Sequence, residues 1–163
     1  MDLTLLKSNT RNTVLTDPEG APVYIVTTPT GLFTNHDTTI RRVDGPKERD
    51  IGRVQSAGFS QSWAVAVHGR DVRMIRSGAF SASESFMASD GKMYKWKIKG
   101  GAPLRVRKGS DGLNTNIAVY SGASGLFCSR PSILTVSPDG LAILDELVAT
   151  FIYMETRRKD DEQ

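Results

Sequence analysis

Five cations stand at alternate positions of two short runs: Lys95, Lys97 and Lys99 within residues 92–99, and Arg105 and Arg107 within residues 104–108. Successive side chains of an extended chain point to opposite faces, so these cations share one face while Tyr94, Trp96, Ile98, Leu104 and Val106 share the other. Gly100-Gly101-Ala102-Pro103 supplies the turn between the runs, and pairing the two strands gathers all five charges on one outer surface. Like charges opposite one another on paired strands repel. Such a face therefore calls for an anionic partner, and a phosphate headgroup matches it in charge. The bland alternative is a solvated sheet face, or one neutralised by acids such as Glu84 and Asp90. The charge is local: residues 67–108 hold ten Lys/Arg against three Asp/Glu, whereas the whole chain nets +3. Nucleic acid fits less well, because single-strand binders place stacking rings beside their cations and here Tyr94 and Trp96 point away.

The remaining reactive residue types are sparse. His36 beside Asp37 and His68 near Asp71 are the only histidines, which excludes a three-His metal site and a His-x-x-x-His motif. Either one suits acid/base work on a small metabolite in a pocket, although no nucleophile stands beside them. Cys128 is the single cysteine, so neither a disulfide within the chain nor a Cys-rich zinc site is available. It lies between Phe127 and Ser129, where a free Cys behaves as a small hydrophobe. The Gly/Ser turn at residues 121–125 lacks the Lys and the following helix of a phosphate-binding loop. Asp145 and Glu146 are adjacent on the expected helix and so do not share a face, which argues for a cap or a pairing at the mouth of the fold rather than a catalytic carboxylate pair. No catalytic residue, metal ligand or cofactor is assigned.

The elements that must carry these residues are short strands separated by turn signals. Candidates are residues 12–16 and 22–28, joined through Asp17-Pro18-Glu19-Gly20, then 38–43, 50–55, 63–67, 71–75, 92–99, 104–108, 115–120, 125–129 and 132–137. From Pro138 the period changes. Ser137 at the cap, Pro138 at the first position and Arg157, Arg158 and Lys159 near the end predict a helix over about residues 138–158. Its second half is apolar or small nearly all round, so the strands must enclose it. The apolar stretch 141–154 is too short for a membrane span and contains two acids. A length of 163 residues, 39% hydrophobic and 24% charged, fits one domain over residues 1–158 with a charged tail at 159–163. The lone cysteine and the lack of signal-peptide character in residues 1–7 predict a cytoplasmic protein, peripheral to membranes if it docks on them.

The order of segments resembles a family of small, uncharacterised fungal proteins classed as a domain of unknown function. The residues that carry the likeness are Asn12-Thr13-Val14-Leu15, Pro22-Val23-Tyr24-Ile25, Thr28-Pro29, Thr39-Ile40-Arg41-Arg42, residues 90–97 and Ile143-Leu144-Asp145. That family is similar to the tubby C-terminal, LURP-one-related and phospholipid-scramblase group. The resemblance implies a mainly β fold, a closed antiparallel β-barrel threaded by one apolar C-terminal α-helix. Some members of the wider group bind phosphoinositides or other membrane lipids through basic surface residues, and none of their motifs is carried over here residue by residue. The leading expectation is an intracellular binding or interaction module, docking an anionic phospholipid, a phosphoinositide or a protein surface through Lys95, Lys97, Lys99, Arg105 and Arg107. The alternatives are an enzyme using His36 or His68 at a barrel-mouth pocket, and a self-assembling structural protein.

Overall fold

The alternation read from the sequence builds the sheet. The computed structural model describes residues 1–30, 37–56, 62–78, 81–98, 104–108, 115–122 and 131–161. Its strands are β1 (Asp2–Leu5), β2 (Thr13–Thr16), β3 (Pro22–Thr27), β4 (Thr38–Asp44), β5 (Lys47–Gln55), β6 (Ala64–Val67), β7 (Arg70–Asp71), β8 (Ile75–Arg76), β9 (Glu84–Met87), β10 (Met93–Lys97), β11 (Leu104–Lys108), β12 (Asn116–Ser121) and β13 (Ser132–Val136). A 3-10 turn, Pro138–Ile143, leads into the helix α1 (Leu144–Asp161). Leu3 and Leu5, Tyr24 and Val26, Tyr94 and Trp96, Leu104 and Val106, and Leu134 and Val136 are the buried alternate residues of their strands. The expected strand at 125–129, with Cys128, falls outside the described residues, as do His36, Lys99 and residues 123–125 of the Gly/Ser turn.

Among the described residues the strands form one antiparallel sheet in the order β7-β6-β5-β4-β3-β2-β1-β13-β12-β11-β10-β9-β8. The chain thus starts in mid-sheet, walks outward to one edge at β7, crosses to the opposite edge at β8 and walks back until β13 pairs with β1. This overturns the closed barrel: β7 and β8 are the two edges and no ladder joins them. The physical reason lies in the connection. From Asp71 to Ile75 the chain spans at most about 14 Å, so the edges are near each other. Of its two inward residues, Val72, buried, gives its N–H to Val65 O at 2.8 Å, on the β6 side, and Met74 packs half-buried against the core. The two-residue strands at the ends of this crossing share no ladder among the described residues, and the sheet stays open along this seam. The expected strand 71–75 is accordingly two short edges with a crossing between them.

Enclosure of the helix does not require a closed ladder. Leu144 and residues 146–156 of α1 are all buried, on every face. Pro138 begins the 3-10 turn as expected, and Ser137 holds the cap position, where its carbonyl, not its hydroxyl, accepts the Gly140 N–H at 3.0 Å. The helix proper therefore starts later than expected and runs through Asp161, taking up residues 159–161 of the expected tail. Its buried polar groups are matched by the sheet. Trp96 Nε1 donates to Thr150 Oγ1 at 2.9 Å, Tyr153 donates to Glu84 Oε2 at 2.9 Å, and Arg157 donates to the same carboxylate. Burial pushes the Tyr153 phenol up to about 12. Among the described residues, no helix is long and apolar enough to cross a membrane.

Candidate functional site

Pairing of β10 with β11 sets Lys95 opposite Arg107 and Lys97 opposite Arg105. Tyr94 and Trp96 are buried beneath them, so the four described cations of the expected set lie on the outer face. Neither acid that the bland reading offered reaches them. Glu84 is buried on the inner face with Arg157 and Tyr153, and Asp90 pairs with Lys92 at 3.7 Å and accepts the Tyr94 hydroxyl at 2.8 Å. Across the sheet the neighbours of Lys95 and Arg105 are Ser85, Val119 and then Thr135, and the first acid in that row is Asp2, three strands from Arg105. Among the described residues Lys95, Lys97 and Arg105 have no acidic partner, and Arg105 Nε is buried without a hydrogen bond. Arg107 Nε donates to Asn116 Oδ1 at 3.3 Å.

A second constellation assembles where α1 begins. Asp145, half-buried with 13% of its side chain exposed, accepts the Tyr24 hydroxyl at 2.5 Å, Arg42 Nη1 at 2.9 Å and His68 Nε2 at 2.8 Å. Burial alone would raise its carboxyl. The hydrogen bonds from Tyr24 and His68 and the charge of Arg42 outweigh that and hold it below its ordinary value. The Tyr24 phenol is pushed upward by burial and by the Asp145 carboxylate. Next to it Glu146, buried, accepts Arg70 Nη2, the Ser89 N–H at 2.8 Å and the Ser89 hydroxyl at 2.8 Å. Adjacent helical carboxylates thus serve two different sets of partners, as their divergent faces require. All of these residues except the buried Tyr24 line one cleft of ≈ 350 Å³, with Val67, Leu141, Ile143 and Leu144 as its apolar wall.

His68 reaches this cleft through its backbone. With Gly69 it forms the β6–β7 turn, both residues in the left-handed region at φ 50 and 75. Glycine adopts that region without cost, and His is among the few side chains enriched there. The β4–β5 pairing carries a bulge that leaves Ile51 unpaired, and the Ile51 carbonyl accepts the His68 N–H at 2.8 Å. The imidazole is 53% exposed. Sequence proximity suggested Asp71 as its partner; the fold supplies Asp145 instead. Tyr24, Arg42, Arg70 and Ser89 were not singled out from the sequence. One signal pointed to them: two acids at the start of an apolar helix that must be enclosed need partners from the sheet.

Fold and sites together define a β-sheet domain wrapped around a C-terminal helix, with a cationic outer face and a polar cleft at the helix start. The chain belongs to a family of unknown function, DUF6593, whose profile matches residues 8–160. The match bears out the domain of unknown function and carries no link to tubby C-terminal, LURP-one-related or scramblase proteins, and no fungal origin. Neither the curated proteins nor the solved structures gave a match.

Proposed function

We propose that this chain is a binding module that docks on anionic lipid headgroups through the β10–β11 face. The observation that carries the reading is the register: Lys97 faces Arg105 directly, beside Lys95 and Arg107, and no acid of the described residues pairs with Lys95, Lys97 or Arg105. Opposed cations cost the folded chain free energy that an anionic surface returns as attraction. Near an acidic membrane each cation contributes about 1 kcal/mol, and the attraction weakens as salt shortens the Debye length. The test is co-sedimentation with neutral and with phosphoinositide-containing vesicles at low and physiological salt. Binding is expected on the acidic vesicles alone. Reversing two charges, K97E with R105E, is expected to weaken it by at least about ten-fold. Undiminished binding by that variant overturns the reading.

A second reading is favoured by the His68–Asp145 hydrogen bond in the cleft. There a carboxylate held ionised by Tyr24 and Arg42 orients an imidazole, the arrangement of a general acid/base acting on a small metabolite. Turnover that survives His68→Asn in the folded protein would remove it.

A further inference from the structure

The cleft at the start of α1 has a donor set that its own acids do not exhaust. Asp145 and Glu146 are nearly filled, each accepting three of the roughly four hydrogen bonds open to a carboxylate: Asp145 from Tyr24, Arg42 and His68, and Glu146 from the Arg70 guanidinium and from both the N–H and the hydroxyl of Ser89. The two guanidinium groups are not. A guanidinium carries five N–H donors in a planar fork. Arg42 directs Nη1 to Asp145 and holds its Nε, buried and without a hydrogen bond, 3.4 Å from Asp44 Oδ1, which leaves its second Nη group uncommitted; Arg70 directs Nη2 to Glu146 and Nη1 to the Met87 carbonyl at 3.3 Å. The remaining capacity of the lining is therefore mainly donor capacity, beside a wall of Val67, Leu141, Ile143 and Leu144. Leu141 stands at the rim with 46% of its surface exposed, as an apolar side chain without a full complement of neighbours.

From this geometry we infer that the cleft binds a small organic monocarboxylate with an apolar body, its head on the Arg42 and Arg70 forks and its body against Leu141 and Ile143. Planar guanidinium groups match a carboxylate bidentately. Arg42 and Arg70 face Asp145 and Glu146, and Asp44, beside Arg42, is shared with Arg49, so the charges about the cleft come close to balance, which accepts one added negative charge and disfavours the doubly charged phosphate monoester. The volume of ≈ 350 Å³ lies at the small end of ligand pockets and suits a compact molecule. The site shares no residue with the β10–β11 face, so the inference is independent of membrane docking. It does not rest on proton transfer by His68 either, since a ligand can bind there without reacting.

The experiment follows amide resonances of the full chain on titration with hexanoate, using acetate and hexan-1-ol as controls. Hexanoate is expected to saturate and to move the amides of His68, Arg70 and Ser89, and each control should bind at least about ten-fold more weakly, lacking either the body or the charged head. Leu141→Asp places a repelling carboxylate at an exposed position, so it is expected to keep the melting temperature and to weaken hexanoate by at least about ten-fold. Hexan-1-ol binding as tightly as hexanoate overturns the inference, as does acetate doing so, or hexanoate binding unchanged by Leu141→Asp. An absence of saturation overturns it as well.

Discussion

Asp145 and His68 share a hydrogen bond but differ in what the fold asks of them. Asp145 is held below its ordinary value of 3.8, so in the unfolded chain it takes up a proton at higher pH than in the folded one. Its stabilising contribution is therefore complete above the ordinary carboxylate value and is lost as pH falls through the lower folded value. Asp145→Asn removes the charge to which Arg42 is bonded, and is expected to cost about 2 kcal/mol at neutral pH. Below pH 3.8 the wild type loses this advantage, so the two unfolding curves converge in acid. His68→Asn behaves differently. The imidazole is half exposed, and Asn is as well suited to a left-handed turn position, so stability is expected to change by less than about 0.5 kcal/mol at neutral pH. Urea unfolding of both variants from neutral to acid pH checks the pair. A large, pH-independent loss in His68→Asn would mean that the imidazole is a structural prop of the β6–β7 turn.

At the scale of elements, legibility in the sequence followed how local the determinants are. β10 and β11 are readable because Tyr94, Trp96, Leu104 and Val106 alternate with cations, and α1 is readable because its second half is apolar all round. β1 offers only Leu3 and Leu5 as a pattern, and β9 turns a glutamate, Glu84, inward, which breaks the rule that charge faces water. Its justification is Arg157, 73 residues away. The same distance effect hid the cleft, since His68 and Asp145 are 77 positions apart and meet only once the helix is in place. The 3-10 turn was also invisible to helix signals, because what bends it is packing. A Cβ at Gly140 would lie 2.8 Å from Val136 Cγ1, 2.9 Å from Ile117 Cγ2 and 3.0 Å from Leu147 Cδ1. Gly140→Ala is therefore expected to destabilise by about 1–3 kcal/mol through overpacking, as measured by thermal unfolding. An alanine variant as stable as the wild type would show that this turn has room to shift.

The topology makes the centre and the edges of one sheet unequal in a way that neither residues nor elements show alone. Each arm, β2 to β7 and β8 to β13, is a run of hairpins with mostly local pairings, and β1 joins them by pairing with β2 on one side and β13 on the other. Leu3 lies opposite Leu134 and is wholly buried, so this junction couples the arms through residues far apart in sequence. At the other extreme, Ile75 on the edge strand β8 is 47% exposed beside the seam. The same chemical change, loss of aliphatic bulk to alanine, should then have very unequal consequences. Leu3→Ala is expected to cost about 3 kcal/mol, through lost burial and an unfilled cavity between the arms, whereas Ile75→Ala is expected to stay within about 0.5 kcal/mol. Urea unfolding at neutral pH compares them directly. The register requires the difference: Ile75 lies opposite Ser85, which lies opposite Lys95, so it shares the outer face with the cations and its truncation empties no cavity, and a loss that approached the cost of Leu3→Ala would argue that this face is covered.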